Sequence, residues 1–214
     1  MEPASNASAA EQKKQQQIIK RDYRLEPVAW MPFWMAVVLG RFLFFPTLFY
    51  NIVLYWLMPW KFCSWWNRID DTVLLGALPL YWYVPALFRE GVRGVVNTCD
   101  EYAGPWRSYQ QHKVEQIRIP IVDYFPPTLS DVKKGVAFIR KFQERGESVY
   151  VHCKAGRGRS TTIVLCYLIQ RYKMDAKEAQ EFIAERRPQV STIYKRKVVY
   201  DWIDYLRSKE TSRD

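Results

Sequence analysis

The sequence predicts an α/β fold: a central, mainly parallel sheet flanked by helices, with an N-terminal hydrophobic helical arm. Three observations point to it. Beyond Asp70, short β-branched runs alternate with longer amphipathic runs, the order of strands that cross over through helices. Glu147-Ser148-Val149-Tyr150-Val151 leads through a glycine-bearing loop into Thr161–Tyr172, which is apolar on most faces, so a buried strand feeds a buried helix. Ahead of both lies an uncharged aromatic stretch, Phe42 to Trp60. The 214 residues suit one domain plus an extension. They divide into a polar tail (1–27), a hydrophobic membrane-associated arm (28–66) and an α/β domain (67–214). No internal repeat is visible.

The tail is rich in Ala, Ser and Gln with mixed charge, and reads as disordered or loosely helical. Glu2, Glu11, Asp22 and Glu26 make it a poor transit peptide. In the arm, Phe42 to Trp60 would extend about 28 Å as a helix, close to a hydrocarbon core. Arg41 and Lys61 bracket it, and Tyr50, Tyr55, Trp56, Trp60, Trp65 and Trp66 resemble interfacial anchors. Pro46 and Asn51 count against a clean span. The reading is a membrane-embedded helix or a re-entrant segment, set against an apolar arm packed on the domain. The net charge of +10 favours anionic surfaces, and no nucleic-acid motif accompanies it. Lys195-Arg196-Lys197 either leans on a bilayer or forms a solvated face.

From Asp70 the domain reads strand, helix, strand, strand, a Pro-rich loop, a helix near 130–146, strand, loop, helix. Two helices follow, near 175–187 and 195–207. Asp175 with Glu178 forms a capping box, Ser130 looks like an N-cap, and Asp131 then sits in a first turn. Trp202, Tyr205 and Leu206 pack the last helix. A functional site is expected at the carboxyl ends of the strands.

Its chemistry is concentrated in His152-Cys153-Lys154-Ala155-Gly156-Arg157-Gly158-Arg159-Ser160. The loop ends at a helix N-terminus, where backbone N–H groups lack intrahelical partners and the dipole is positive. Gly156 and Gly158 let these groups converge on an anion, with Ala155 inside the same turn. A phosphate fits there. The same field lowers the Cys153 pKa from about 8.5, which makes the sulfur a thiolate nucleophile. Arg159 offers a planar fork to two phosphate oxygens. Ser160 can donate to the sulfur, and His152 fixes the loop through the backbone. Lys154 and Arg157 add cations for a phosphorylated headgroup, or else solvate the surface and tune Cys153.

A leaving alkoxide needs a proton. Asp123, where a strand ends in Tyr124-Phe125-Pro126-Pro127, is the candidate acid. Asp131 is the rival, better suited to capping. Two well-separated histidines form no ligand cluster with the cysteines, so neither metal nor cofactor is expected. Cys63, Cys99 and Cys166 read as reduced structural thiols, with Cys99 the candidate backup cysteine for Cys153.

The His-Cys-(five residues)-Arg-Ser run resembles the signature of the cysteine-dependent protein tyrosine phosphatases. Over a longer range, Val73-Leu74-Leu75-Gly76-Ala77-Leu78-Pro79, Gly94 to Tyr102 and Val149 to Arg157 resemble the mitochondrial PTP-like phosphatases, the PTPMT group, in its plant type. The resemblance implies the dual-specificity phosphatase fold and hydrolysis of phosphatidylglycerophosphate to phosphatidylglycerol, the step before cardiolipin. It implies Cys153, Arg159, Asp123 and Ser160 as catalytic residues, and an acidic-aromatic loop in which Glu101 and Tyr102 border the site. Ala103 replaces the acid expected after that tyrosine. An anionic phospholipid is the implied substrate. The mitochondrial inner membrane is the implied location, with chloroplast or endoplasmic reticulum membrane as the alternative. A dual-specificity protein phosphatase or a phosphoinositide phosphatase would use the same residues. A non-enzymatic phosphate-binding scaffold would have no need of all of them.

Overall fold

Period-two alternation sorts the strand side chains between two cores. The computed structural model describes residues 33–57, 64–123 and 125–211. The polar tail, Trp60, Lys61 and Cys63 lie outside the described residues, as do the side chains of Asn51, Tyr55 and Trp56. A long helix, α1 (Phe33–Leu57), precedes β1 (Trp66–Arg68) and β2 (Val73–Gly76). A 3-10 turn at Tyr81–Tyr83 leads into α2 (Val84–Arg89) and β3 (Val92–Cys99). Then come α3 (Trp106–Gln111), β4 (Glu115–Ile121), α4 (Leu129–Gln143) and β5 (Ser148–His152). Helices α5 (Arg159–Tyr172), α6 (Ala176–Arg186) and α7 (Lys197–Thr211) follow.

Among the described residues five strands form one sheet, in the order β1-β2-β5-β3-β4. Only β1 runs antiparallel, so the expected mainly parallel sheet is present. Val149 and Val151 of β5 face a large core with Val73, Leu75, Val96 and Ile119, closed by α4, α5, α6 and α7. Tyr150 between them faces the opposite core, with Leu74, Val95, Val84, Leu87 and Tyr109. Each fully buried aliphatic side chain contributes about 1.5–3 kcal/mol. Helix α5 is enclosed from Arg159 to Ile169, and Trp202 of α7 donates its indole N–H to the Cys166 carbonyl at 2.9 Å.

The sequence reading passed over two elements. β3 and β4 are adjacent and parallel, which demands a crossover. Six-residue α3 supplies it, without the apolar repeat that would announce a helix. β1 is a three-residue edge strand. Two cap assignments also separate. Asp175 and Glu178 form the capping box of α6 as expected. The N-cap of α4, however, is Thr128 rather than Ser130, with Asp131 at N3 closing the box: Thr128 N–H donates to Asp131 Oδ2 at 2.9 Å.

The arm both packs and protrudes. Phe44 and Leu48 of α1 bury against Leu78, with Ile52, Leu80 and Tyr102 beside them, and Arg41 pairs with Asp100 at 3.0 Å. Its outer face exposes Trp34, Phe42, Phe45 and Phe49, with Phe42 78% exposed. No helix among the described residues is long and apolar enough to cross a membrane. Pro46 lies inside α1, where it removes one backbone donor without ending the helix. Trp65 and Trp66 are not interfacial anchors. Trp65 is 7% exposed, donates to the Leu78 carbonyl at 2.9 Å and stacks on Tyr83, while Trp66 pairs with Gly76 across the sheet edge. The composition of residues 42–66 merges two structures that the chain separates. The basic run also divides: Arg196 turns inward to the Thr162 hydroxyl at 2.9 Å, and Lys197 pairs with Asp201.

Candidate active site

Four parallel strands deliver their carboxyl ends to one place. β2 exits at Gly76-Ala77-Leu78, β3 at Asp100-Glu101, β4 at Val122-Asp123 and β5 at Cys153. The Cys153–Arg159 loop is tied into this convergence, since Leu78 N–H donates to the Lys154 carbonyl at 3.1 Å. Gly156 makes the turn possible. Its φ is +65°, and an added Cβ would overlap the Gly76 carbonyl. Gly158 is different: it is the N-cap of α5 at φ −131° and ψ −71°, with room for a side chain, so a positive φ is needed at only one of the two glycines.

Cys153 is buried, and the Gly156 N–H points at its sulfur from 3.2 Å. Burial pushes the thiol pKa up. Arg159, the Ser160 hydroxyl and the backbone N–H groups of Ser160 and Arg157 outweigh it, and hold Cys153 down at about 7. The Ser160 hydroxyl is buried against the sulfur with no other hydrogen-bonding partner. His152 is fully enclosed. Burial drives its pKa down to about 3, so the ring is neutral; it approaches the Cys153 carbonyl at 3.3 Å and stacks on Tyr150. It is a support and not a base.

Arg159 gathers the acidic residues. Its guanidinium donates to the Ile121 carbonyl at 2.7 Å and to Glu101 Oε2 at 3.1 Å, and pairs with Asp123 Oδ1 at 2.9 Å. Burial opposes its charge, but Cys153, Cys99, Asp123 and Glu101 push its pKa up instead. Glu101 also accepts the Asp123 N–H at 3.0 Å, which pins the acid-bearing loop to the end of β3. Buried ion pairs add little net stability once desolvation is counted, so this network contributes orientation. Asp131, committed to its capping box, is remote in role from it.

Lys154 departs from expectation. The sequence offers it as a headgroup contact or as a solvated cation that tunes Cys153. Instead it is 7% exposed, and its ammonium contacts Asp123 Oδ2 and the Thr47 hydroxyl of α1, the latter at 3.0 Å. Arg157 is half-buried, within electrostatic reach of Cys153 and of Tyr50 on α1. Ala155 turns its carbonyl away from the site. Tyr102 does not join the loop: its hydroxyl donates to the Pro79 carbonyl at 2.8 Å, and its ring helps seat α1. Cys99 is buried beside the site, where desolvation raises its pKa, and Cys166 lies in the core with its pKa likewise raised by burial. No group of three or more His, Cys, Asp or Glu among the described residues is placed to hold a metal ion.

Two contributors escaped the sequence reading. Arg187, just beyond α6, is 1% exposed and braces the loop from behind, donating Nε–H to the Gly156 carbonyl at 2.9 Å and an NH2 group to the Ala155 carbonyl at 3.1 Å. It also reaches Asn67 Oδ1 of β1 at 2.7 Å. Thr47 is the other. In sequence, Arg187 looks like a solvated basic residue at a helix end, and Thr47 like a polar interruption of an apolar run.

This geometry agrees with the chain's relatives. Residues 89–200 match the dual specificity phosphatase catalytic domain. The phosphatidylglycerophosphate phosphatase PTPMT2 of Arabidopsis thaliana is 44% identical over 71% of this chain and 67% of its own length. The phosphatidylglycerophosphatase and protein-tyrosine phosphatase 1 of Homo sapiens is 46% identical over 70% of this chain and 78% of its own. A crystal structure of PTPMT1 in complex with PI(5)P superposes with a TM-score of 0.64 at 38% identity, covering 69% of this chain and 99% of that one. A buried cysteine in a loop of converging N–H groups, with arginine and aspartate closing over it, is thus found where the relatives are phosphatases, and the chain belongs to the dual specificity phosphatase family.

Proposed function

We propose that this phosphatase hydrolyses phosphatidylglycerophosphate to phosphatidylglycerol and inorganic phosphate through a cysteinyl-phosphate. The observation that carries the chemistry is Cys153, held at about 7 among N–H donors with the Asp123 carboxylate paired to Arg159 alongside. The phosphate takes the Arg159 fork in place of Asp123, and its oxygens meet the loop N–H groups. Cys153 sulfur attacks phosphorus. The bond from phosphorus to the glycerol oxygen breaks, and that oxygen takes the proton that Asp123 picked up from solvent when phosphate displaced it from Arg159. Water then attacks the cysteinyl-phosphate and gives its proton to Asp123. The departing thiolate is received by the Ser160 hydroxyl. Glu101 keeps Arg159 and the Asp123 backbone in register throughout.

The lipid reading draws on the printed activities of the relatives and on α1. The exposed aromatic outer face of α1 suits the headgroup region of an anionic bilayer, so the helix would lie on the membrane beside the site. The location follows the substrate: the mitochondrial inner membrane, or otherwise a chloroplast or endoplasmic reticulum membrane. A phosphoinositide is the second reading, favoured by the PTPMT1 complex with PI(5)P. Side-by-side turnover of phosphatidylglycerophosphate, PI(5)P and a phosphotyrosine peptide tests the choice. Highest kcat/KM on phosphatidylglycerophosphate is expected, and preference for the peptide would overturn the lipid assignment.

A further inference from the structure

Helix α1 lies ahead of residue 89, where the family match begins, yet through Lys154 it is linked to the Asp123 carboxylate. The contact is narrow. Lys154 donates to Thr47 Oγ1 at 3.0 Å, while the Thr47 hydroxyl donates its own proton to the Leu43 carbonyl at 2.5 Å. The hydroxyl proton is therefore committed to the helix, and a lone pair faces the ammonium. The Phe44 ring, itself 1% exposed, lies 5.6 Å from the same ammonium. On its other side that ammonium holds Asp123 Oδ2.

We infer that Thr47 is a positioning residue for proton transfer: it holds the Lys154 ammonium, through which α1 sets the Asp123 carboxyl against the leaving group. The inference rests on the reading of Asp123 as the general acid. When phosphate takes Arg159, Asp123 loses that partner and must turn its carboxyl to the leaving oxygen. Lys154, already on the other carboxylate oxygen, stays with it and aims it. A long lysine side chain carries large rotamer freedom, and a fixed acceptor removes much of it. Thr47 is that acceptor, rigid because it is bonded back to its own helix. Proton donation matters most when the leaving group is a poor one, so the effect of Thr47 has to depend on the leaving group.

The experiment compares phosphatidylglycerophosphate in mixed micelles, an alkyl phosphate, with p-nitrophenyl phosphate, whose leaving group needs little acid. Wild type, Thr47→Val, Thr47→Ser and Asp123→Asn are assayed as full chains, with thermal unfolding alongside. Thr47→Val keeps the shape and removes the acceptor. Its kcat on the lipid should fall about ten-fold and on the aryl phosphate less than about three-fold, the size expected for one hydrogen bond to a charged group. Thr47→Ser, which restores the hydroxyl, should return lipid turnover to within about two-fold of wild type. An unchanged lipid rate in Thr47→Val, an equal fall on both substrates, or no recovery in Thr47→Ser would overturn the inference. Asp123→Asn separates the two levels of the argument. If it slows both substrates alike, the acid assignment itself fails. If it is leaving-group selective and Thr47→Val is not, the fault lies with Thr47 alone.

Discussion

Gly156→Ala should damage both the stability and the turnover of the catalytic domain. Two costs add at this position. A φ of +65° puts a non-glycine residue in the left-handed region, at about 1–2 kcal/mol. The new Cβ would also overlap the Gly76 carbonyl and come within 2.9 Å of an Arg187 nitrogen. Neither neighbour can yield freely. Gly76 is in a strand paired on both sides, and Arg187 is held by several acceptors. Overpacking of this kind costs about 1–3 kcal/mol. The sum, about 2–5 kcal/mol, corresponds to a fall in Tm of about 5–15 °C for a domain of this size. Displacing the loop by a fraction of an ångström also spoils the convergence of N–H groups on the sulfur, so kcat on p-nitrophenyl phosphate should fall at least about 100-fold. Gly158→Ala is the matched control. Its φ is negative, its Cβ would sit 3.6 Å from Arg196, and its Tm should move by less than about 2 °C. Thermal unfolding by circular dichroism and the aryl phosphate assay read both quantities. Equal, small effects of the two substitutions would refute the close packing of Gly156 on Gly76.

The pH profile should follow the sulfur. Cys153 is held down at about 7, so its thiolate grows as pH rises, and kcat/KM on an aryl phosphate should climb from pH 5 and level off above about 7. Ser160→Ala removes one of the groups that lower it, so this limb should move to higher pH; a limb that stays in place would remove Ser160 from the account. Arg187→Met should lower kcat on every substrate by about ten-fold or more with Cys153 still alkylated by iodoacetate, because the loop loses its brace and not its nucleophile. Wild-type kcat in that variant would mean the loop holds its shape without Arg187. Thr128→Ala should cost about 0.5–2 kcal/mol in urea unfolding by opening the α4 capping box, and wild-type stability would contradict the cap.

What could be read from the sequence was what is local. The strand, the loop and the helix behind Cys153 are contiguous, and each has its own residue pattern, so nucleophile, guanidinium and dipole could be placed together before any fold was known. Asp123 was legible because a strand ending in a proline-rich loop delivers its last residue to the sheet's carboxyl edge. The remainder depends on contacts distant in sequence. Arg187 meets Gly156, Thr47 meets Lys154, and Glu101 meets Arg159, and no periodicity encodes those meetings. Lys154 reads as a headgroup contact or a solvated cation because a loop cation looks solvent-facing until α1 covers it. Trp65 and Trp66 were drawn into the arm because aromatic composition runs on past the point where the chain changes from helix to sheet.

The docking of α1 has a practical side. A shortened chain beginning at Ser64 would keep every residue of the signature loop and the whole sheet. It would lack the Thr47 acceptor on Lys154 and the Arg41 partner of Asp100, and would bare Leu78 where Phe44 and Leu48 now sit. Such a fragment is the natural choice for expression, and it would invite self-association through the uncovered patch. Rate constants measured on it would describe a site with one wall removed, and inhibitors selected against it would be fitted to a cleft that the intact enzyme fills with its own helix.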